Sequence, residues 1–331
     1  MILLIGPKLS KQKTQIGGSE VLFENWINWS NNNDICMEVI DANKFNYCSK
    51  VIAIVLIICA IIVKAFKCEK IFLHGSKNDY LVLAPFAVLI GKILKKPVFL
   101  RKFAGSFHTV YEEAPWWKRI LYYYTMKYAD ILFWETKSLV EFGKNMNINS
   151  YWFPNVRNRP QLLLKKYPYR KKFVFMSQVR KEKGIDILLR AFQLLGNNYQ
   201  IDIYGSLMGY EEKQLEDHYK GCVASHEVYN VLSEYDCLLL PSYNEGYPGI
   251  IIEAYSVGLP VIATNVGGIP EIIENDVNGY LIEPNDPNLL VDAIRTLDNA
   301  DYDKLSRNAL ESFDNFDANV INSRIYKVIS N

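Results

Sequence analysis

The sequence predicts an α/β protein of two doubly wound parallel sheets facing each other across a cleft, and three observations carry that prediction. Short apolar runs rich in Ile, Val, Leu and Phe alternate with stretches of helical period along the chain. The alternation breaks once, at the basic, proline-bearing stretch VRNRPQLLLKKYPYRKK. The 331 residues, half of them apolar and 22% charged, suffice for two cores of ordinary size.

In the first half, MILLIG reads as an opening strand followed by a helix near Ser19 to Trp29. KIFLHG then precedes a helix from Tyr80 to Leu94, PVFLRKF precedes one from Trp116 to Tyr128, and ADILFWE follows. This rhythm predicts βα units and a domain over 1–157. The run VIAIVLIICAIIV has 13 apolar residues between Lys50 and Lys64, short of the ~20 that span a bilayer, and predicts a core helix. Alternation resumes at FVFMSQV and continues through a helix from Ile185 to Leu195, YQIDIYG, a helix around Glu211 to Tyr219, CLLLPS, a helix from Gly249 to Val257, and PVIAT. These define a second domain over 158–314. The tail, 315–331, has helical spacing from Ala318 to Ser330 and is expected to cross back onto the first domain. Doubly wound sheets bind ligands at the carboxyl ends of their strands, so two facing crevices make one deep site that closes on substrate.

Composition narrows the function classes. The six cysteines, at 36, 48, 59, 68, 222 and 237, form no CxxC pair, which argues against zinc and disulfides and for a reducing cytoplasm. The first residues lack the basic stretch and the length of a secretory signal, so export is not expected. Net charge is +1, but residues 1–157 hold 20 Lys+Arg against 12 Asp+Glu, and residues 158–331 hold 17 against 24. The basic half suits an anionic partner such as lipid headgroups or a polyanionic acceptor. PWWKRILYYYTMKYAD, at 115–130, mixes aromatics with Lys118, Arg119 and Lys127, with Lys137 just beyond, as interfacial helices do. Peripheral contact with an anionic membrane is expected there, and no nucleic acid.

The motif richest in chemistry is PSYNEGYPGIIIEAYSVGLPVIATNVGGIPEII, residues 241–273. A buried strand leads into a turn, Pro248 stands where a first helical turn tolerates proline, and Gly246 and Gly249 allow a ligand close to the backbone. The helix that follows offers free N–H groups and its positive end to a diphosphate. Glu245 in the loop and Glu253 in the helix, with seven residues between, are too far apart to share a proton. Each can accept hydrogen bonds from a vicinal diol, one on a sugar and one on a ribose, with the diphosphate between.

This string resembles the signature of glycosyltransferase family four, a family with the GT-B fold of two Rossmann-like domains. The family's two glutamates, in EGFP and in EA eight residues on, are here EGYP and EA. The resemblance is firm over residues 171–284 and looser over 1–157. It implies Glu253 on the ribose, Glu245 on the donor sugar, the amides of Tyr247 to Gly249 around sugar and phosphate, retention of configuration, and no metal. A second element, SQVRKEKGID at 177–186, opens a helix after a strand and places Lys183 toward a phosphate. The family's arginine falls on Gln178, which carries no charge. Arg180, two positions on, is expected to point the same way by the period of a strand.

Further candidates are weaker signals. Gly17 and Gly18, in IGGSEV, occupy the place of the family's glycine pair over the donor phosphate; the pattern is not the GxGxxG of dinucleotide enzymes. His108, in FAGSFHTVYEE, is the candidate for the family's first-domain histidine. His74 ends the strand KIFLHG and is placed to line the cleft, whereas His218 and His226 look solvent-facing. Asn155 in FPNV resembles the family's hinge Pro-Asn, Gly205 ends a strand where a base can stack, and Gly267, Gly268 and Glu271 resemble the stretch below the nucleotide. DYD at 301–303 imitates a metal-binding motif but opens a helix, where acids complement the dipole.

The expected reaction is transfer of a sugar from a nucleotide diphosphate, UDP by family habit, to a saccharide or lipid-linked saccharide acceptor, as in synthesis of a bacterial surface polysaccharide. Charge builds on the leaving diphosphate, so Lys183, Arg180 and the helix end at Gly249 lower the barrier, and the departing oxygen can take the acceptor proton. Two rivals remain: a non-catalytic partner subunit that keeps nucleotide-sugar affinity, favoured by Gln178, and a nucleotide-sugar epimerase on the same fold.

Overall fold

Every pairing between named strands is parallel, which requires a crossover between neighbours and accounts for the alternation of strand and helix. A computed structural model of the chain describes residues 1–10, 18–76, 79–102, 107–161 and 168–330. The chain divides into two units, Met1–Val156 with Ala318–Asn331, and Arg157–Asp317.

The first unit runs β1 (Ile2–Gly6), α1 (Gly18–Asn32), β2 (Met37–Asp41), α2 (Lys50–Ala65), β3 (Lys70–Gly75), α3 (Asp79–Leu94), β4 (Val98–Lys102), α4 (Phe107–Glu112), α5 (Trp116–Tyr128), β5 (Ile131–Trp134), α6 (Lys137–Asn145) and β6 (Ser150–Trp152). The sheet order is β2-β1-β3-β4-β5-β6. Side chains alternate across the pleat, so Leu3, Ile5 and Leu73 pack under α2, α3 and α5, while Ile2, Leu4 and Phe72 pack on the other side against Leu22 and Trp26 of α1. Ile321, Ile325 and Ile329 join that second core from the last helix of the chain, Ala318–Ser330, which packs beside α1.

The second unit runs β7 (Lys172–Met176), α7 (Ile185–Leu195), β8 (Gln200–Tyr204), β9 (Tyr219–Gly221), α8 (Val228–Leu232), β10 (Cys237–Leu240), α9 (Gly249–Ser256), β11 (Val261–Thr264), β12 (Gly279–Ile282), α10 (Pro287–Asp298) and α11 (Tyr302–Ser312), with the closing helix numbered α12. Its order is β12-β11-β10-β7-β8-β9. Phe173, Val174, Leu238, Leu239 and Ile262 are fully enclosed on both faces, as central parallel strands are.

Two expectations are corrected here. The segment 211–219 forms no α-helix: a capping box at Glu211 and Gln214 closes only a 3-10 turn, and the chain then joins the sheet edge as β9, beside Ile203 and Tyr204. A second 3-10 turn, Glu216–His218, follows, and pairing with β8 from Tyr219 onward ends the helical pattern. The apolar run at 51–63 does form a helix, started by Ser49, whose hydroxyl accepts from the N–H of Ile52 at 3.2 Å. It is not a core helix, since only Ala53, Ile57, Ile61 and Ala65 are buried and the opposite side is exposed.

Asp301 of the DYD triplet caps α11 by accepting from the N–H of Lys304 at 3.0 Å. All six cysteines are free.

Candidate functional site

In the second unit the strand order reverses between β7 and β10: the chain moves one way through β8 and β9, then returns to the other side of β7. Loops leaving adjacent strands on either side of such a reversal diverge and open a crevice at their carboxyl ends. The loop after β7 carries Gln178, Arg180 and Lys183; the loop after β10 carries Glu245 and leads into α9.

The two loops are fastened together. Gly184 adopts φ +75°, and a Cβ there would stand 1.9 Å from the carbonyl oxygen of Pro241, so only glycine allows this approach. Tyr243 donates its backbone N–H to the Glu182 carbonyl at 3.0 Å and its hydroxyl to Asp186 Oδ2 at 2.8 Å. Across this seam Lys183 Nζ donates to Glu245 Oε1 at 2.6 Å, with the two side chains 14% and 8% exposed. The Ser242 hydroxyl donates to the same oxygen at 2.9 Å. A charge-assisted bond and a hydroxyl bond thus hold the Glu245 carboxylate in one orientation.

The loop is also carried by the stretch after β11. Gly267, at φ +57°, would place a Cβ 1.9 Å from the Glu245 carbonyl oxygen, and the Gly268 N–H donates to the Gly246 carbonyl at 2.7 Å. Gly267 and Gly268 therefore act as a backbone platform beneath Glu245 and Gly246.

Helix α9 starts after Pro248, which has extended backbone angles, and no side chain caps it. Its first-turn amides and the positive dipole end favour an anion. Sequence reading missed one residue here. Arg157, the first residue of this unit, donates from Nε to Glu253 Oε1 at 2.6 Å, and a Cβ on Gly249 would fall 1.9 Å from its Nη2. The guanidinium lies over the first residue of α9. Its backbone is fixed by a hydrogen bond from its N–H to the Phe316 carbonyl at 3.1 Å. Tyr229 completes the group: burial and then the Glu253 charge push its hydroxyl up to about 12, against the pull of Arg157. The sequence offered no sign beyond a basic residue in a basic stretch.

The remaining candidates divide by unit. Glu245, Lys183, Gly246, Tyr247, Pro248, Gly249 and Glu253 all lie along the loop–α9 segment or its seam with the loop after β7. Tyr247 is buried, its ring 6.3 Å from that of Phe316. Gly205, at φ +141°, is required by packing, since a Cβ would stand 1.7 Å from the Ser177 carbonyl oxygen. The expected strand relation between Gln178 and Arg180 does not hold. Strand β7 ends at Met176, and the Arg180 N–H bonds to the Gln178 carbonyl two residues back at 3.0 Å, which bends the chain. Arg180 is half-buried, with Nε 3.9 Å from Glu182 Oε2.

His108, Gly18 and Asn155 belong to the first unit. His108 is exposed in α4 instead of standing in a loop, Gly18 opens α1 with free space at its Cα, and Asn155 is buried. Gly17 lies outside the described residues. His74 lines no crevice: it is fully buried among Phe23, Trp26 and Phe72, and burial, with Arg101 nearby, holds its imidazole well below the usual range. His218 is half-buried with Nδ1 3.1 Å from the Ile201 carbonyl oxygen, while His226 is exposed. Among the described residues no three or more His, Cys, Asp or Glu stand together as a metal-holding group.

Residues 163–312 match the family model described as glycosyl transferases group 1. The amylovoran biosynthesis glycosyltransferase AmsK of Erwinia amylovora is 31% identical over 146 residues, which is 39% of this chain and 36% of that protein. An uncharacterized protein of the cps region of Klebsiella pneumoniae is 26% identical over 256 residues, 70% of this chain and 71% of its own length. The chain aligns with about a third of the length of the curated relatives named as glycosyltransferases. Among solved structures, that of Anabaena Alr3699/HepE in complex with UDP superimposes with a TM-score of 0.76 over 99% of both chains at 16% identity.

Proposed function

This chain is of the family-four-like glycosyltransferase type with the GT-B fold, and from that premise we infer that it transfers a sugar from a nucleotide diphosphate to a saccharide or lipid-linked saccharide acceptor in bacterial surface polysaccharide synthesis. UDP is the favoured nucleotide, and the anomeric configuration is retained. The observation that carries this reading is the paired arrangement at the reversal of the sheet: Glu245 fixed by Lys183 and Ser242 ahead of α9, and Glu253 fixed by Arg157 behind its first turn.

In this reading the α9 amides receive the diphosphate, and the cations Lys183 and Arg157, with Arg180 from the loop after β7, offset the charge that grows on it as the glycosidic bond breaks. Glu253 accepts from the ribose and Glu245 from the donor sugar, each through carboxylate oxygens already held by a cation. The leaving phosphate oxygen takes the acceptor proton, so no separate enzymic base is needed. The charge of the diphosphate is met by side chains and amides, without a metal. The relatives support the biological setting: AmsK is named for amylovoran synthesis, and the Klebsiella protein for the cps region. Work at the inner face of the cell membrane, in peripheral contact with it, belongs to the same reading. No helix among the described residues is long and apolar enough to cross a membrane.

Calorimetric titration with UDP, GDP and ADP, then a donor panel for whichever nucleotide binds, tests the proposal. Saturable UDP binding that depends on Glu253, with slow donor hydrolysis that depends on Glu245, is the expected result. Gln178, in the place of the family's arginine, favours a second reading, a subunit that binds the nucleotide sugar without turning it over. Tight donor binding with no hydrolysis and no transfer would establish that one, and conversion of free donor without acceptor would indicate an epimerase.

A further inference from the structure

We propose that the first unit docks on an anionic lipid bilayer through the outer surface of α2, α3 and α5, with α2 lying in the plane of the headgroups. The observation starts with α2, which is apolar on every side. Ala53, Ile57, Ile61 and Ala65 pack onto the sheet, while Val51, Val55, Leu56 and Val63 face outward, and Phe66 follows at the helix end. Val51 is 73% and Phe66 67% exposed. A helix apolar all round belongs in an apolar environment, and the sheet provides one for only half of it.

The exposed surface continues sideways. Helix α3 packs beside both α2 and α5, and it adds Phe86, Leu89 and Ile93 to the outside. Helix α5 adds Trp116, at 74% exposure, then Trp117, Ile120 and Tyr124. Of the twenty-two large apolar side chains exposed among the described residues, fifteen lie on this layer or at the end of α2, and three in the second unit. Apolar side chains scattered singly need no explanation, but their gathering on one helical layer marks an interaction surface.

Charge identifies the occupant. Lys50 and Lys67 flank α2, Lys95 follows α3, and Lys118, Arg119 and Lys127 stand on α5. Within the three helices the single acid is Asp79, largely buried and paired with Lys44 at 3.0 Å. Lys64 and Lys92 have partners in Glu38 and Asp130, and Glu112 and Glu113 precede α5, so the surplus is positive but not uniform. An apolar stripe bordered by lysines, with Trp and Tyr at one end, matches the headgroup boundary of an anionic leaflet. A second copy offering the same face would bring like charges together. The 16 residues of α2 are too few to span the hydrocarbon, ~30 Å at ~1.5 Å per residue, which leaves the in-plane position.

The inference gives the membrane contact of the proposed function its surface and rests on that part of the reading; the candidate sugar site lies in the other unit, and the test needs neither nucleotide nor turnover, so its failure leaves the sugar-site reading standing. The full chain is sedimented with vesicles of phosphatidylglycerol and phosphatidylethanolamine, and with vesicles of phosphatidylcholine alone. Val55→Glu/Val63→Glu and Trp116→Ala/Trp117→Ala are compared, each checked for fold by circular dichroism and thermal unfolding. Partition to the anionic vesicles should exceed that to phosphatidylcholine by about tenfold or more, and the α2 variant should lose about tenfold, as introducing charge into a buried apolar face requires. The aromatic variant should lose several-fold. Absence of vesicle binding by the wild type, or binding unchanged in both folded variants, overturns the proposal. A dimer without lipid that the α2 variant dissociates overturns it in favour of an interface between copies.

Discussion

Arg157 grips Glu253 from 96 residues away in sequence, Nε to Oε1 at 2.6 Å, and rests its guanidinium over Gly249 at the start of α9. The carboxylate that the proposed function assigns to the ribose is therefore oriented before any nucleotide arrives. The helix end that favours a diphosphate already has a cation upon it.

Glu253→Ala should weaken UDP affinity about tenfold or more, since a charge-assisted hydrogen bond contributes ~1.5–3 kcal/mol. Arg157→Ala should weaken it as well, because Glu253 loses its orientation. The double variant should fall short of the sum of the two, as residues in contact do. Calorimetric titration measures all three, and unchanged affinity in Glu253→Ala would remove the ribose assignment.

Glu245→Ala should abolish the slow hydrolysis of the donor. Lys183→Met should lower turnover by roughly 10²–10³, the typical effect of deleting one preorganised charge stabiliser. Rates of UDP release from donor, with and without acceptor, check this. If Lys183→Met turned over at the wild-type rate, the charge on the leaving group would have to be met elsewhere.

Gly184→Ala should destabilise the second unit by about 1–3 kcal/mol or more from backbone strain, because the added methyl meets Pro241 at φ +75°. Gly18→Ala, with open space around it, should stay within about 0.5 kcal/mol. Thermal unfolding of the two variants side by side tests whether the seam between the loops is as tight as the geometry indicates.

Asp298 accepts hydrogen bonds from Lys171 at 2.8 Å, Tyr199 at 2.5 Å and Tyr169 at 2.7 Å. Burial works to raise its carboxyl, but these three donors outweigh it and the net shift is downward. A carboxyl lowered in the folded state adds stability above its ordinary pKa of 3.8, and that contribution fades as acidity increases through the lowered value. Asp298→Asn should therefore cost stability at pH 7, and the difference from wild type should shrink below about pH 4. Denaturant titrations at the two pH values read it directly.

Chelators should leave transfer intact. Complete loss on treatment with EDTA, restored by manganese, would show that the diphosphate charge is neutralised by a metal and not by Lys183, Arg157 and the α9 amides.

Much of this was readable from the chain. The helices over Trp116–Tyr128, Ile185–Leu195 and Ala318–Ser330 have the bounds their periodicity predicts. The spacing of Glu245 and Glu253 likewise put one in a loop and the other inside α9. Where the reading failed, partners distant in sequence decided. Segment 211–219 closed into two 3-10 turns that hand the chain to β8 at Tyr219, and Gln178 and Arg180 lost their strand relation to a bend after Met176. His74, at a strand end, was absorbed into the aromatic core between sheet and α1.

Periodicity, caps and the glycine-proline signals act over a few residues, so the sequence by itself determined the strand–helix alternation, the two-sheet class and the helix end that suits a phosphate. Burial and ion pairing depend on what the chain brings from far away. Only the tertiary structure decided that Lys183 meets Glu245 across 62 residues, that Arg157 holds Glu253, and that α2 turns half of its apolar surface outward. Identical local chemistry can be core or surface, and the neighbours that fold beside it settle which.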